Sequence, residues 1–188
     1  HGFQLWANLP SSQKMISPRY QDIQSKEIKT LLEDDGSSIK IISGNYRGYK
    51  GPVDGIAAEP EYLDIYIPPF TSKIFPFDTR RQGFAYIFEG EASFKSASKP
   101  IGVKIEKEFQ GEEFEFRDLS GNRTLIVFDG GDEVSVSSGK NGARFLLISG
   151  VPLKEPVAWH GPIVMNTRQE LMQAFSDLRN DTFIQPND

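Results

Sequence analysis

"GFAYIFEGEASF", residues 83–94, decides the fold class. An apolar run from Gly83 to Phe88 is too short for a buried helix and reads as a strand. Glu89-Gly90 reads as a turn, and the chain continues as a second strand to Phe94. Upstream, "EYLDIYI" (61–67) sets Leu63, Ile65 and Ile67 against Tyr62, Asp64 and Tyr66, the period-two pattern of a half-buried strand. Pro68-Pro69 stops it, and "SKIFPF" (72–77) follows as a short strand. "IGVKIEKEF" (101–109), "RTLIVFD" (123–129), "DEVSVSS" (132–138) and "ARFLLISG" (143–150) extend the series. Many short strands divided by Gly and Asp turns indicate an all-β, antiparallel barrel or sandwich.

The flanks differ. Gly2–Leu9 alternates Phe3, Leu5 and Ala7 with Gln4, Trp6 and Asn8 and reads as a further strand. Residues 14–28, broken by Pro18, read as an extended connector. Asp34-Asp35-Gly36 forms a turn before a strand at Ile39–Ile42, and Gly44–Gly51 reads as a loop. "QGEEFEFRDLSGN" (110–122) is acidic and is expected as an exposed hairpin. One helix is expected at about 166–180. There Leu171, Met172, Phe175 and Leu178 recur at helical spacing, with Asn166 or Thr167 as cap and Gln169 or Glu170 three residues on. Its apolar stripe is expected to pack on the barrel rather than to hold a cofactor.

The chain has 188 residues, 38% of them hydrophobic and 25% charged, enough to bury a core. It has no cysteine, which removes disulfides, thiol nucleophiles and zinc-thiolate sites and agrees with a cytoplasmic location. No run of residues approaches a membrane span. The net charge is -5 and the basic residues are scattered, so neither nucleic acid nor membrane is an expected partner.

Two stretches carry a resemblance. "HGFQLWANLPSSQKMISPRYQDI" (1–23) resembles the segment of pirin-like proteins that leaves a first barrel and crosses to a second. "ARFLLISGVPLKEPVAWHGPIVMNTRQELMQAFSDLRN" (143–180) resembles the end of the same family. In it a strand leads to G-x-P-L-x-E-P-V, then H-G-P-F-V-M-N-T, then a helix. "PEYLDIYIPPF" and "GFAYIFEGEASF" match more loosely, and residues 95–125 match poorly. The resemblance implies a bicupin, two barrels in tandem, with one metal, usually iron, held by three histidines and a glutamate in the first barrel. Those ligands precede the H-G-x-Q-L-W segment with which this chain begins, and His1 matches a histidine that is not a ligand.

The expected architecture is therefore a jelly-roll-like, cupin-type β-barrel with one C-terminal helix. Residues 1–35 would form a crossover arm from an N-terminal barrel that is missing, and 36–188 the C-terminal barrel. "YIFEGE" (86–91) resembles the turn after the first cupin motif. Counting from it, the paired-histidine position falls near Lys73-Ile74-Phe75 and the carboxylate near Gln82 or Gly83. The last histidine position falls near Gly142–Arg144. None of these holds a histidine or carboxylate, so no metal, no cofactor and no catalytic residue is expected in this chain. Phe75 and Phe77 are expected to fill the barrel.

The remaining candidates are polar. His160 could act as a proton shuttle, a lone metal ligand or a structural residue tying down its loop. Arg80 and Arg81, in "PFDTRRQG" (76–83), could bind an anion beside the barrel mouth or simply face solvent. Glu89 and Glu91 read as solvated hairpin charges before they read as an acid–base pair. "GGD" (130–132) lacks the Lys-Ser/Thr of a phosphate loop, and no G-x-S-x-G elbow occurs. Three functions follow. The domain could be a metal-free structural or interaction module that packs on the missing N-terminal barrel. It could be part of an iron-dependent quercetin 2,3-dioxygenase whose catalytic site lies in the missing half. It could be a regulatory protein-binding module. A homodimer through arm 1–35 would cover the apolar edge of that arm.

Overall fold

The structure is a computed structural model that describes residues 2–57, 59–94, 104–106 and 119–184. Contacts divide the chain into two compact units, one of Ile23–Asp54 with Glu59–Val151, the other of His1–Asp22, Gly55–Ala58 and Pro152–Asp188.

The larger unit is a nine-stranded antiparallel sheet among the described residues. Its elements in chain order are β1 (Lys29–Leu32), β2 (Ser38–Ser43), a small separate hairpin of β3 (Asn45–Tyr46) and β4 (Tyr49–Lys50), β5 (Glu61–Ile67), β6 (Ser72–Pro76), β7 (Gln82–Ser93), β8 (Lys104–Glu106), β9 (Ser120–Gly121), β10 (Thr124–Val127) and β11 (Glu133–Gly150). The pairing path runs β1-β2-β5-β11-β7-β10-β8, with β6 on the first part of β11 and β9 on β7. The all-β cupin architecture expected from the sequence is present. No ladder joins β1 to β8 among the described residues, so the result is an open cupin-like sandwich rather than a closed barrel.

Alternation fills the interior as "EYLDIYI" indicated. Ile65 and Ile67 are fully buried, and Ile39, Ile41, Ile87, Ile126, Val136 and Phe145 join them. Phe75 and Phe77 are buried in the same cluster. Phe145 sits edge-on to Phe75 and Phe94, with ring centroids 6.3 and 5.4 Å away.

Three sequence expectations change here. Glu89-Gly90 is not a hairpin turn, because β7 runs unbroken from Gln82 to Ser93. Residues 132–138 and 143–150 are not two strands but the ends of one long strand, β11. Both strands bend where a register shift occurs. Phe145 pairs with Ile87 and Arg144 with Glu89, so Phe88 is a bulge residue on β7. On β11, residues 139–142 form the irregularity between Ser138 and Ala143. A one-residue bulge reverses which positions face inward. On β7 the core residues are Ala85 and Ile87 before the bulge and Ala92 after it, with Phe94 just past the strand's end. On β11 they switch from Val134 and Val136 to Ala143, Phe145 and Leu147. Pattern reading sees the lost phase as a chain reversal. The third change is β1, which lies inside the segment assigned to the arm and pairs with β2 across the Asp34-Asp35-Gly36 turn.

In the smaller unit, Gly2–Leu9 is not a strand, since its backbone joins no ladder among the described residues. Alternation marks two faces, but a strand also requires a partner edge for its backbone groups. Phe3 and Trp6 are exposed. The C-terminal part contains β12 (Ala158–His160), β13 (Ile163–Met165) and the helix α1 (Arg168–Arg179). Thr167 caps α1, and its capping box with Glu170 is complete. The helix finds its partner in β12–β13. Ala174, Leu171 and Phe175 meet Ile163 and Met165, while Met172 and Leu178 stay exposed. The expected stripe is thus half used, and by a hairpin of the same unit. Glu155 ties the arm to this region. Its carboxylate accepts from the Ser11 amide (2.8 Å) and hydroxyl (3.3 Å) and from the Asn166 side-chain amide (2.8 Å). Among the described residues no helix is long and apolar enough to cross a membrane.

Two outcomes follow from this packing. A Cβ on Gly90, whose φ is +72°, would lie 2.1 Å from the carbonyl oxygen of Gly142. Gly90→Ala should therefore cost about 1–3 kcal/mol through backbone strain and displacement of β11, read as a lower urea midpoint. Glu155→Ala should accelerate tryptic cleavage after Lys14 and Arg19 by about tenfold, the loss of one or two charge-assisted hydrogen bonds, with little change in the urea midpoint of the larger unit. Unchanged cleavage would show that the arm is held by other contacts.

Candidate functional site

The larger unit contains a cavity of about 350 Å³. Its floor is apolar, formed by Leu63, Phe75, Phe77 and Leu147, and its rim carries Asn45, Arg47, Glu61, Asp78 and Ser149. A largely apolar cleft with a few placed polar groups is the usual form of a small-molecule site.

Local rules position the rim. Arg47 and Gly48 have φ of 50° and 81° and join β3 to β4 as a two-residue turn. Positive φ at both central residues is the geometry that matches strand twist in a tight hairpin. The Asn45 carboxamide oxygen accepts from the Gly48 amide at 3.0 Å and locks it. The loop expected at Gly44–Gly51 is thus a tight hairpin, and Gly48 inside "NYRGY" is its signal in the sequence. Glu61 opens β5 opposite Ser149 of β11, and the Ser149 hydroxyl donates to its carboxylate at 3.0 Å. Gly44, at φ +84°, leaves room for Glu61: a Cβ there would fall 2.5 Å from Glu61 Cγ.

Beside the cavity lies a charge network. Lys73 pairs with Glu33 and, at 2.5 Å, with Asp35, and Arg47 pairs with Glu33 at 3.0 Å. The Lys73 hydrogen bond is the main cause that pulls the Asp35 carboxyl from 3.8 to about 2. Burial opposes the charge of Lys73, but Asp35 and Glu33 outweigh it and raise its pKa. Burial likewise raises the Tyr46 phenol, whose hydroxyl faces Glu33 at 3.5 Å. Sequence reasoning missed Glu33, Asp35 and Glu61, and reached Lys73 only as a counted ligand position, not as a member of this network. Their partners are distant in the chain, and no spacing rule links them.

The predicted polar residues fall in different units. Arg80 is exposed, and its guanidinium is held by Asp78, with Nη2 to Oδ2 at 2.7 Å. That contact, first among several, pulls the Asp78 carboxyl to about 2. Arg81 Nη1 donates to the Glu59 carbonyl at 2.6 Å. Arg80 is thus engaged within its own turn, and Arg81 by the backbone before β5. His160 ends β12 in the smaller unit, exposed, with its ring edge-on to Phe175 at 5.5 Å between centroids. It lines a shallow groove of about 480 Å³ with Trp159, Arg168 and Met172. Glu89 is exposed, 3.8 Å from Arg144 Nη1. Residues 95–103 and 107–118, which include most of the predicted acidic hairpin, and His1 lie outside the described residues.

The residues at the counted cupin ligand positions do not fit a metal. Lys73 is in the charge network, Phe75 is in the core, and Arg144 makes a two-point ion pair with Asp64 at 2.9 and 2.7 Å. Gly83 leaves space filled by Phe77 and the Ile148 carbonyl. Among the described residues no cluster of three or more histidines and carboxylates could hold an ion.

Residues 62–184 match the profile of the Pirin C-terminal cupin domain. A pirin-like protein of Caulobacter vibrioides is 37% identical over 183 residues, covering 97% of this chain and 58% of that protein. Human pirin is 34% identical over 182 residues, covering 96% of this chain and 56% of that protein. The crystal structure of a quercetin 2,3-dioxygenase from Acinetobacter baumannii superimposes with a TM-score of 0.75 at 26% identity, covering 95% of this chain and 55% of that one. The chain thus spans a little over half the length of these relatives.

Because the Asp35 carboxyl is lowered in the folded state, its contribution is present above 3.8 and fades as pH falls toward 2. Wild type should exceed Asp35→Asn in urea midpoint by a constant margin near neutral pH, and the two should converge in that acidic window. The side chain is 35% exposed, so screening keeps the margin below about 1 kcal/mol.

Proposed function

This chain belongs to the pirin family as its C-terminal cupin domain, and from that premise we propose that the domain is a metal-free partner of a metal-binding barrel, with a structural or interaction role. The observation that carries the reading is the occupancy of the counted ligand positions. A lysine committed to two carboxylates, a core phenylalanine and an ion-paired arginine stand where a cupin metal site would need imidazoles and a carboxylate. In this reading His160 serves its own unit by packing on Phe175.

The structural likeness to a quercetin 2,3-dioxygenase supports a second reading for the longer protein. If such a protein oxidises quercetin, the chemistry belongs to the part outside this chain, and the present residues take no step in it.

The test is the metal content of the purified chain after incubation with iron, manganese, nickel or copper and then desalting. The expected outcome is no stoichiometric metal and no quercetin turnover with added iron. One tightly held ion per chain, or iron-dependent turnover, would overturn the proposal.

A further inference from the structure

We propose that the cavity of the larger unit binds a small primary amine with an apolar body, its ammonium group at Glu61. The argument begins with charge. Four carboxylates stand at or beside the cavity, and three of them have cations. Glu33 has Lys73 and Arg47, Asp35 has Lys73, and Asp78 has Arg80 and, at 4.0 Å, Arg81. Glu61 has a hydroxyl partner, Ser149, and no cation among the described residues. It is half-buried on the rim of a cavity whose floor is Leu63, Phe75, Phe77 and Leu147. A carboxylate accepts several hydrogen bonds, and one hydroxyl leaves most of that capacity open. Next to an apolar floor an incoming cation is screened less than in open water.

The same accounting excludes other ligand classes. An anion would meet Glu61 and Asp78, while the guanidinium of Arg47, the cation on the rim, is already engaged by Glu33 at 3.0 Å. A neutral alcohol can donate to Glu61 but leaves its charge uncompensated. A wholly apolar ligand would desolvate the carboxylate without replacing its hydrogen bonds. The volume, about 350 Å³, lies at the low end for ligand pockets, which suits one ring or a short chain. Phe75 and Phe77 in the lining favour a ring. Gly44 is part of the device: its lack of a side chain lets Glu61 pass against the backbone and fixes where the carboxylate stands.

The experiment follows chemical shifts of the whole chain during titration with phenethylamine, 2-phenylethanol and 3-phenylpropanoate, three ligands of similar shape and different charge. Phenethylamine should saturate, shift Phe77 and Leu147 resonances, and bind about tenfold more tightly than the alcohol, as one charge-assisted contact implies. 3-Phenylpropanoate should bind most weakly. Glu61→Gln, which keeps an acceptor for Ser149, should erase the amine's advantage and change alcohol binding less than about twofold. The ligand series on the wild-type chain reads out the proposal even if the variant folds poorly. An amine that binds no better than the alcohol, an advantage that survives Glu61→Gln, or no saturable phenethylamine binding would each overturn it.

Discussion

The larger unit depends on one constraint: β7 and β11 must each serve two parts of the sheet. The first half of β11 pairs with β6, the second with β5, and β7 follows it along much of its length. A regular strand cannot do this, because its inward set of side chains is fixed by alternation. The bulge at Phe88 and the irregularity at 139–142 reset that alternation. Gly90 and Gly142 sit at the reset, both in left-handed conformation; a side chain on Gly90 would meet the Gly142 carbonyl, and one on Gly142 the Ile67 carbonyl. The displaced residues are used on the other face. Phe88 joins Leu146 and Ile148 in a second apolar cluster, and the Arg144 guanidinium lies 5.1 Å from the Phe88 ring centroid.

The second consequence is the polarity of the cavity. In a cupin interior the positions beside the mouth can hold imidazoles, and here a different chemistry occupies them. Lys73 is bound between two carboxylates from the β1–β2 turn region, so its charge is consumed locally. Removing Lys73 would leave Asp35 without a cation and Glu33 with Arg47 alone, so the network depends on that lysine more than on either carboxylate. Glu61 stands outside that closed set.

What could be read from the chain followed from periodicity. β5 was legible to the residue, because Leu63, Ile65 and Ile67 alternate without interruption and Pro68 ends the pattern. The cap of α1 was legible to within one residue: Asn166 with Gln169 and Thr167 with Glu170 share the spacing that reciprocal hydrogen bonds demand, and the structure uses the second pair. The long strands were not, since a bulge and a hairpin turn both interrupt alternation near a glycine. Gly2–Leu9 erred the other way, with alternation present and no ladder. Of the candidate site, Phe75 and Phe77 were foreseen as filling, but Glu61, Glu33 and the pairing of Lys73 were not. Charged pairs that meet only through strand register have no local signature.

The bond between Ser11 and Glu155 spans 144 positions. The sheet unit lies almost wholly between those two residues in the chain, interrupted only by a short loop, so it is inserted in sequence within the smaller unit. During synthesis, all of β1 to β11 emerges before Glu155 does. The arm therefore waits for its carboxylate partner while the sheet can already close on itself, and the smaller unit is necessarily the later one to mature.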